Sequence, residues 1–374
     1  SLHSMVRYGS PVIPLFGFVA SLAPLAAVIM ARVFANSEQS IFRFLLVYLI
    51  FAIPFSLSVY LSYWFGDQWD VLREVGAFID QQLIIYDMGG ILYSNSGLFR
   101  TGEIAAWHAA MASIALIVFA TKSRLVSVRL LLGILMALLI GAIVLTGRRK
   151  MLMALVIFAS VYSFLLSYYW QHIRRIVGLA MVLVVAVVTL MLYQTDDTTQ
   201  AMYVGRSLTV FDEAGDRLGM AWNLGESGFN RAGIFGAGAG VSAQGLQSFG
   251  AGGQLGGAAE AGLGKIVGEL GVVGVLVNLI LLIALARHFI RLFRAVPIRY
   301  YNLTVLMAAF SATIVANGVT FLVATQLYGD IFVLLMLGIM LGFLFATESI
   351  AGLYLRHEET RKQHSENEVQ AVME

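Results

Sequence analysis

Three cations stand in a row in Leu145-Thr146-Gly147-Arg148-Arg149-Lys150-Met151. They lie between apolar runs at 128–146 and 151–170, each long enough to cross a bilayer as a helix. Guanidinium groups make bidentate, permanently charged contacts to phosphate. A short cationic hairpin at a membrane boundary therefore suits a phosphate-bearing headgroup. The structural reading of the same residues is attraction to the headgroups of bulk lipid. Misplaced charge at a membrane is more often functional.

Further chemistry-bearing groups follow along the chain. Arg206, Arg217 and Arg231 lie in a long polar stretch, and Asp216-Arg217-Leu-Gly-Met-Ala-Trp222 reads as a short helix. Arg217 could complete a two-point clamp on a diphosphate. Trp222 could stack on a sugar face or anchor at the interface. The alternative for these arginines is pairing with Asp212, Glu213 and Asp216. Gly233-Ile-Phe-Gly-Ala-Gly-Ala-Gly240 looks like a phosphate-cradling loop but lacks the Gly-Lys-Ser/Thr ending, and no strand precedes it. It reads as a flexible segment, or as one allowing close backbone approach. In the stretch 258–274, Gly264 and Gly268 form a small-xxx-small pair that lets a second helix come close. Glu260 sits at the boundary as a candidate general base. Glu269, two turns deeper, reads as a partner for Lys265 at i,i+4 or as a helix–helix hydrogen bond. Arg100, Glu103 and His108 come within nine residues at a helix start. Thr101 can cap that helix and Glu103 suits its dipole, which leaves His108 unexplained. The six histidines are scattered and cysteine is absent, so no metal-ligand spacing or disulfide arises and no cofactor is implied.

The elements that must position these groups are membrane helices. The 374 residues are 59% hydrophobic and 12% charged, against about 45–50% and about 25% in soluble domains. Nine runs are long enough to span: 11–33, 41–63, 103–121, 128–146, 151–170, 177–193, 266–286, 301–325 and 331–350. The expected fold is an all-α polytopic bundle over 1–355, with outer loops at 64–102 and 194–265 and a disordered charged tail at 356–374. Within the first loop, Asp70 to Ile85 reads as a helical stretch against the membrane surface. Lysine and arginine in short loops set orientation. Arg32, Arg43, Lys122, Arg124, Arg129, Arg174, Arg175, Arg287, Arg291, Arg294 and Arg299 mark one side as cytoplasmic. The hairpin at 147–150 then falls outside, against the trend. Nine spans also leave the N-terminus outside, which calls for a preceding helix or for one misassigned run.

In this order and sidedness the motifs resemble the O-antigen polymerase/ligase superfamily of bacterial polysaccharide assembly. The carriers of the resemblance are Thr146-Gly-Arg-Arg149, Arg217 followed by Trp222, Phe235-Gly-x-Gly-x-Gly240 and Glu269-Leu-Gly-x-x-Gly274, across roughly 90–345. It implies a fold similar to GT-C-type glycosyltransferases and metal-independent, inverting transfer. Donor and acceptor would be glycans on undecaprenyl diphosphate, at the outer face of the inner membrane. Arg149 and Arg217 would hold and stabilise the leaving diphosphate. Glu260 is the first candidate for the base and His108 the reserve. Arg148, Lys150, Arg100, His108, Trp222, Arg231 and Lys265 would bind substrate. Ligases of this superfamily carry a histidine-asparagine pair before the closing helix. This chain has Ala258-Ala-Glu260-Ala there, which favours polymerisation over transfer to another acceptor. Besides the lipid-linked glycan and the bilayer, a chain-length regulator is an expected partner, and nucleic acid is not. A transporter or flippase for a polar or anionic solute is the reading from a different class.

Overall fold

The structure is a computed structural model, and it describes residues 11–66, 68–72, 84–87, 90–167, 198–212, 214–242 and 260–373. Among these residues, ten α-helices run in the order α1 (Val12–Phe34), α2 (Glu38–Phe65), α3 (Gly102–Lys122), α4 (Val126–Leu145), α5 (Lys150–Ser167), α6 (Thr198–Asp212), α7 (Ala214–Ala232), α8 (Gly262–Ala295), α9 (Tyr301–Val323) and α10 (Ile331–Met373). Among the described residues, eight are long and apolar enough to cross a membrane, all but α6 and α7. The ninth expected span, 177–193, lies outside the described residues.

The helices begin and end where local chemistry dictates. Ser37 and Ser40 form a reciprocal capping box at the start of α2. Thr101 accepts from the Ile104 amide at the start of α3, as expected. Gly147, at φ 69°, ends α4, because the left-handed residue that closes a helix carries no Cβ penalty only as glycine.

α3 and α9 form the centre. Of their apolar windows 78% and 67% is buried, against 17% for α1 and 22% for α8. Both central helices are alanine-rich: Ala105, Ala106, Ala109 and Ala112 on α3, and Ala308, Ala309, Ala312 and Ala316 on α9, are all buried. In lipid, apolar surface alone does not drive helices together, so small residues that permit close packing do the work. A buried polar link joins the two central helices: Trp107 Nε1 donates to Asn317 Oδ1 at 2.8 Å, and Tyr328 donates to the Asn317 carbonyl at 2.9 Å. On α8, Leu279, Ile280, Leu281 and Leu282 face outward, as a lipid-facing helix requires.

α10 packs on α1 through Gly338 and Gly342. A Cβ at either would stand 2.4 Å from a backbone carbonyl oxygen of α1, at Pro24 and Val28 respectively. α7 crosses the start of α8 in the same way, with Gly228 against Gly264 and Gly268, the pair singled out above. α8 is broken at Gly271 (φ 64°, ψ −160°). The loop after α7 fills the break: Ala237 and Gly238 donate to the carbonyls of Gly268 and Glu269, and Val272 donates to that of Ile234, at 2.7–2.9 Å. Helical interruptions at membrane depth persist only when neighbouring protein satisfies the freed backbone groups.

Three expectations need correction. Ile84 and Ile85 are not helical. Ile84–Asp87 pairs antiparallel with Gly90–Tyr93, because β-branched and aromatic residues suit a pleated surface. The tail is not disordered: α10 continues to Met373. The span before it supplies the helix nucleus. Glu358 and Lys362 stand at i,i+4, and Glu358 pairs with Arg299 and accepts from Tyr300 at 2.9 Å. The helix expected around Arg217 and Trp222 is present as α7, and α6 precedes it in the same outer loop. Glu269 does not pair with Lys265; its carboxylate accepts from the amide and hydroxyl of Ser242, because the break in α8 turns it toward the loop.

The two ends of the bundle sort the loops as charge sorted them. Asn302 donates to Glu38, Tyr301 to the Thr121 carbonyl, and Lys122 lies over the Phe42 ring at 3.7 Å. The segments rich in lysine and arginine therefore share one end, and the hairpin at 147–150 belongs to the other. Replacement of Gly342 by leucine is expected to lower stability by about 3 kcal/mol, read as an earlier unfolding midpoint in detergent. Gly352→Ala, where no atom stands within 4 Å of the added carbon, is expected to leave the midpoint unchanged or slightly raised.

Candidate functional site

At the hairpin end, a cavity of about 280 Å³ opens between α3, α5, α6, α7, α9 and the start of α8. Arg148, Arg149 and Lys150 enter it from the hairpin, Arg206 from α6 and Arg217 from α7. Glu103 from α3 and Glu260 from the start of α8 supply the carboxylates. Met153, Ile157, Val319 and Val323 form an apolar wall of the cavity. Five cations against two carboxylates leave the cavity electropositive, and its apolar wall makes it amphipathic.

The hairpin is held from three directions. Thr146 Oγ1 accepts from the Arg148 amide at 3.2 Å, fixing the turn beyond Gly147. Asn95 donates to the Leu145 carbonyl at 2.7 Å and to the Tyr203 hydroxyl at 3.2 Å. Tyr203 in turn donates to the Tyr93 carbonyl and accepts from the Tyr93 amide. Tyr93 and Asn95, at the end of the β-hairpin, thereby tie α6 to the end of α4. With α6 so placed, Arg206 Nε donates to the Gly147 carbonyl at 3.2 Å, and Arg149 donates to Thr209. Tyr203, Arg206 and Thr209 recur at i,i+3, which puts them on neighbouring positions of one helix face.

The third direction is ionic. Lys150 Nζ lies 2.6 Å from Glu103 Oε1, and Arg148 Nη1 lies 3.4 Å from the same oxygen. Arg148 Nη2 reaches Ser94 at 3.4 Å, while its Nε is buried without a hydrogen-bond partner. Glu103 is only 7% exposed. At the rim, the Glu260 carbonyl accepts from the Thr325 amide at 2.9 Å, which joins the start of α8 to the end of α9.

Of the candidates from sequence, Arg148, Arg149, Lys150, Arg217 and Glu260 line this one cavity. The other five do not. Arg100 pairs with Asp330 at 3.3 Å. His108 stacks on Phe99 with ring centroids 5.0 Å apart and shares a 3.0 Å hydrogen bond with Tyr48. Trp222 is 71% exposed on α7, Arg231 is exposed at the end of α7, and Lys265 is half-buried in the first turn of α8. Sequence reasoning missed the ionic role of Glu103, which capping explained without a partner, and it left Arg206 without a place. The i,i+3 spacing of polar groups in 203–209 was the available signal for Arg206. Among the described residues, no group of histidine, aspartate or glutamate could hold a metal ion.

No protein-family model matches the chain, and no curated protein matches it. The chemistry of the cavity is therefore the basis for any functional reading.

Burial pushes the Tyr203 hydroxyl up to about 12 from 10.0, with desolvation the largest cause and the hydrogen bonds to Asn95 and Tyr93 opposing it. The folded pKa exceeds the unfolded one, so folding favours the neutral phenol. That stability is fully present below pH 10 and is lost as pH rises toward about 12. Tyr203→Phe is expected to cost about 2 kcal/mol, since partners are left unsatisfied, and to flatten the alkaline limb of a stability-versus-pH profile between those values. An unchanged alkaline limb in the variant would assign it to other groups.

Proposed function

We propose that the protein extends a polysaccharide by glycosyl transfer from a polyprenyl-diphosphate donor, acting in a bacterial inner membrane at its outer face. The observation that carries the reading is the convergence of Arg149, Arg217 and Glu260, from three separated segments, on one amphipathic cavity. Its volume lies at the lower limit for ligand pockets, about 300 Å³. That is room for a diphosphate and the first sugar, with the rest of the glycan outside. The apolar wall suits the start of an isoprenoid tail. The position of the hairpin, opposite the lysine- and arginine-rich end, supports an outward-facing site.

In the proposed step, an acceptor hydroxyl oxygen attacks the anomeric carbon of the donor sugar. The bond from that carbon to the diphosphate oxygen breaks, and the diphosphate departs with the electron pair. The hydroxyl proton passes to the Glu260 carboxylate. Negative charge grows on the departing diphosphate, and preorganised cations lower that barrier in a site of low dielectric. Arg149 and Arg217 would supply this stabilisation, with Arg148 and Lys150 fixing the headgroup. Arg149→Ala or Arg217→Ala is expected to cut chain extension by about 100-fold or more while membrane insertion is unaffected, as seen by gel analysis of polymer and by membrane fractionation. Arg149→Lys keeps the charge but loses the bidentate fork, and intermediate activity is expected. Full-length polymer from both alanine variants would overturn the reading.

One observation favours transport of a polar or anionic solute instead. α8, one of the helices long and apolar enough to cross a membrane, is broken at Gly271. Broken membrane helices are common in transporters. Uptake of such a solute into proteoliposomes, with no glycan product formed from a lipid-linked donor, would select this alternative. Product without uptake is the expected result.

A further inference from the structure

The cavity already contains an anion. Glu103 Oε1 makes a short contact to Lys150, at 2.6 Å, and a loose one to Arg148, at 3.4 Å. Arg148 is unevenly satisfied: two further-than-ideal contacts at Nη1 and Nη2, and a buried Nε with no partner. A fully engaged guanidinium would offer all of its donors in a planar fork. Helix capping accounts for Glu103 being acidic at this position. It does not account for a carboxylate shared between two cations of a cluster whose third member, Arg149, is turned toward α6.

We propose that Glu103 is a specificity-determining residue, a resident carboxylate that occupies the position of one phosphate, so that only a ligand with two linked phosphates displaces it from Arg148. The inference rests on the reading of the cavity as a diphosphate-lipid site. The reason is competition. The cavity opens at the membrane boundary, where singly charged phosphodiester headgroups are abundant. A bare row of three cations would fill with them. With Glu103 in place, a singly charged headgroup exchanges one anion for another at Arg148 and leaves the carboxylate with less compensation in a buried site, which is costly. A diphosphate brings a second charge. One phosphate takes the Arg148 Nη donors, and the other reaches the Arg149 and Arg217 side of the cavity. Lys150 stays with Glu103 throughout, so the buried carboxylate keeps a counter-ion.

The test compares inorganic pyrophosphate with orthophosphate as ligands for the full chain purified in neutral detergent, by the shift in unfolding temperature across a concentration series. The wild-type chain is expected to respond to pyrophosphate and much less to orthophosphate. Glu103→Gln removes the competing charge, so both anions are expected to bind more tightly and the preference for pyrophosphate to fall about tenfold. Glu103→Asp, which keeps the charge but draws it back by one methylene, tests the same point should the glutamine variant fail to fold. There, orthophosphate affinity is expected to rise by a smaller factor. An unchanged preference in the variants, weaker binding of both anions, or a wild-type chain that responds to neither overturns the proposal. If preference is lost in the variants yet the wild-type chain makes no polymer, this inference stands and the functional reading falls. Polymer from the wild-type chain with an unchanged preference in Glu103→Gln removes this inference alone.

Discussion

The contact between Glu103 and the cations Lys150 and Arg148 is the constraint on which the cavity end of the bundle depends. A charge at a membrane boundary persists in a buried place only with a partner. Glu103 opens the central helix α3, and Lys150 opens α5, so one ion pair joins the starts of two spans. Because α4 ends at Gly147, the same contact fixes how sharply the chain reverses between α4 and α5. The cavity is what remains above that junction once α6 is laid across it by Tyr203 and α7 by its glycine contact with α8.

Satisfaction of the backbone explains the second unusual feature. α8 breaks at Gly271, and the freed groups at 268–272 are taken up by 234–238 of the loop after α7. Glu269 caps the far side of that loop through Ser242. The glycine-rich segment is therefore a backbone plug for an interrupted helix rather than slack between domains. Its link to α7 means that the helix carrying Arg217 and the helix beginning near Glu260 are held as one unit at the cavity.

The remaining helices follow from the solvent. Where lipid covers both partners, close approach of small residues replaces hydrophobic burial as the source of packing energy. That single rule accounts for the buried alanines of α3 and α9, for Gly338 and Gly342 against α1, and for Gly228 against Gly264. It also explains why α8 can leave a row of leucines uncovered.

Much of the fold was legible in the sequence, because each span needs only a run of apolar residues and each side of the membrane only its share of lysine and arginine. Eight of the nine runs are helices, six of them with bounds within a few residues of those expected, while α8 and α10 run on well past the expected ends, and the ninth lies outside the described residues. Thr101 as a cap, the Gly264–Gly268 approach and the helix carrying Arg217 and Trp222 were readable for the same reason: they depend on neighbours within a few positions. The strands at 84–93 and the helical tail were not, since weak local preferences there are decided by what packs against them. The site was half legible. Composition pointed to Arg148, Arg149, Lys150, Arg217 and Glu260 one by one, but whether they meet depends on contacts between residues far apart in the chain. Only the tertiary structure separated Arg100 and His108 from that set, turned Glu269 away from Lys265, and brought Glu103 and Arg206 in. A side chain's partner is set by how helices cross, and crossing is a property of surfaces assembled from several segments at once.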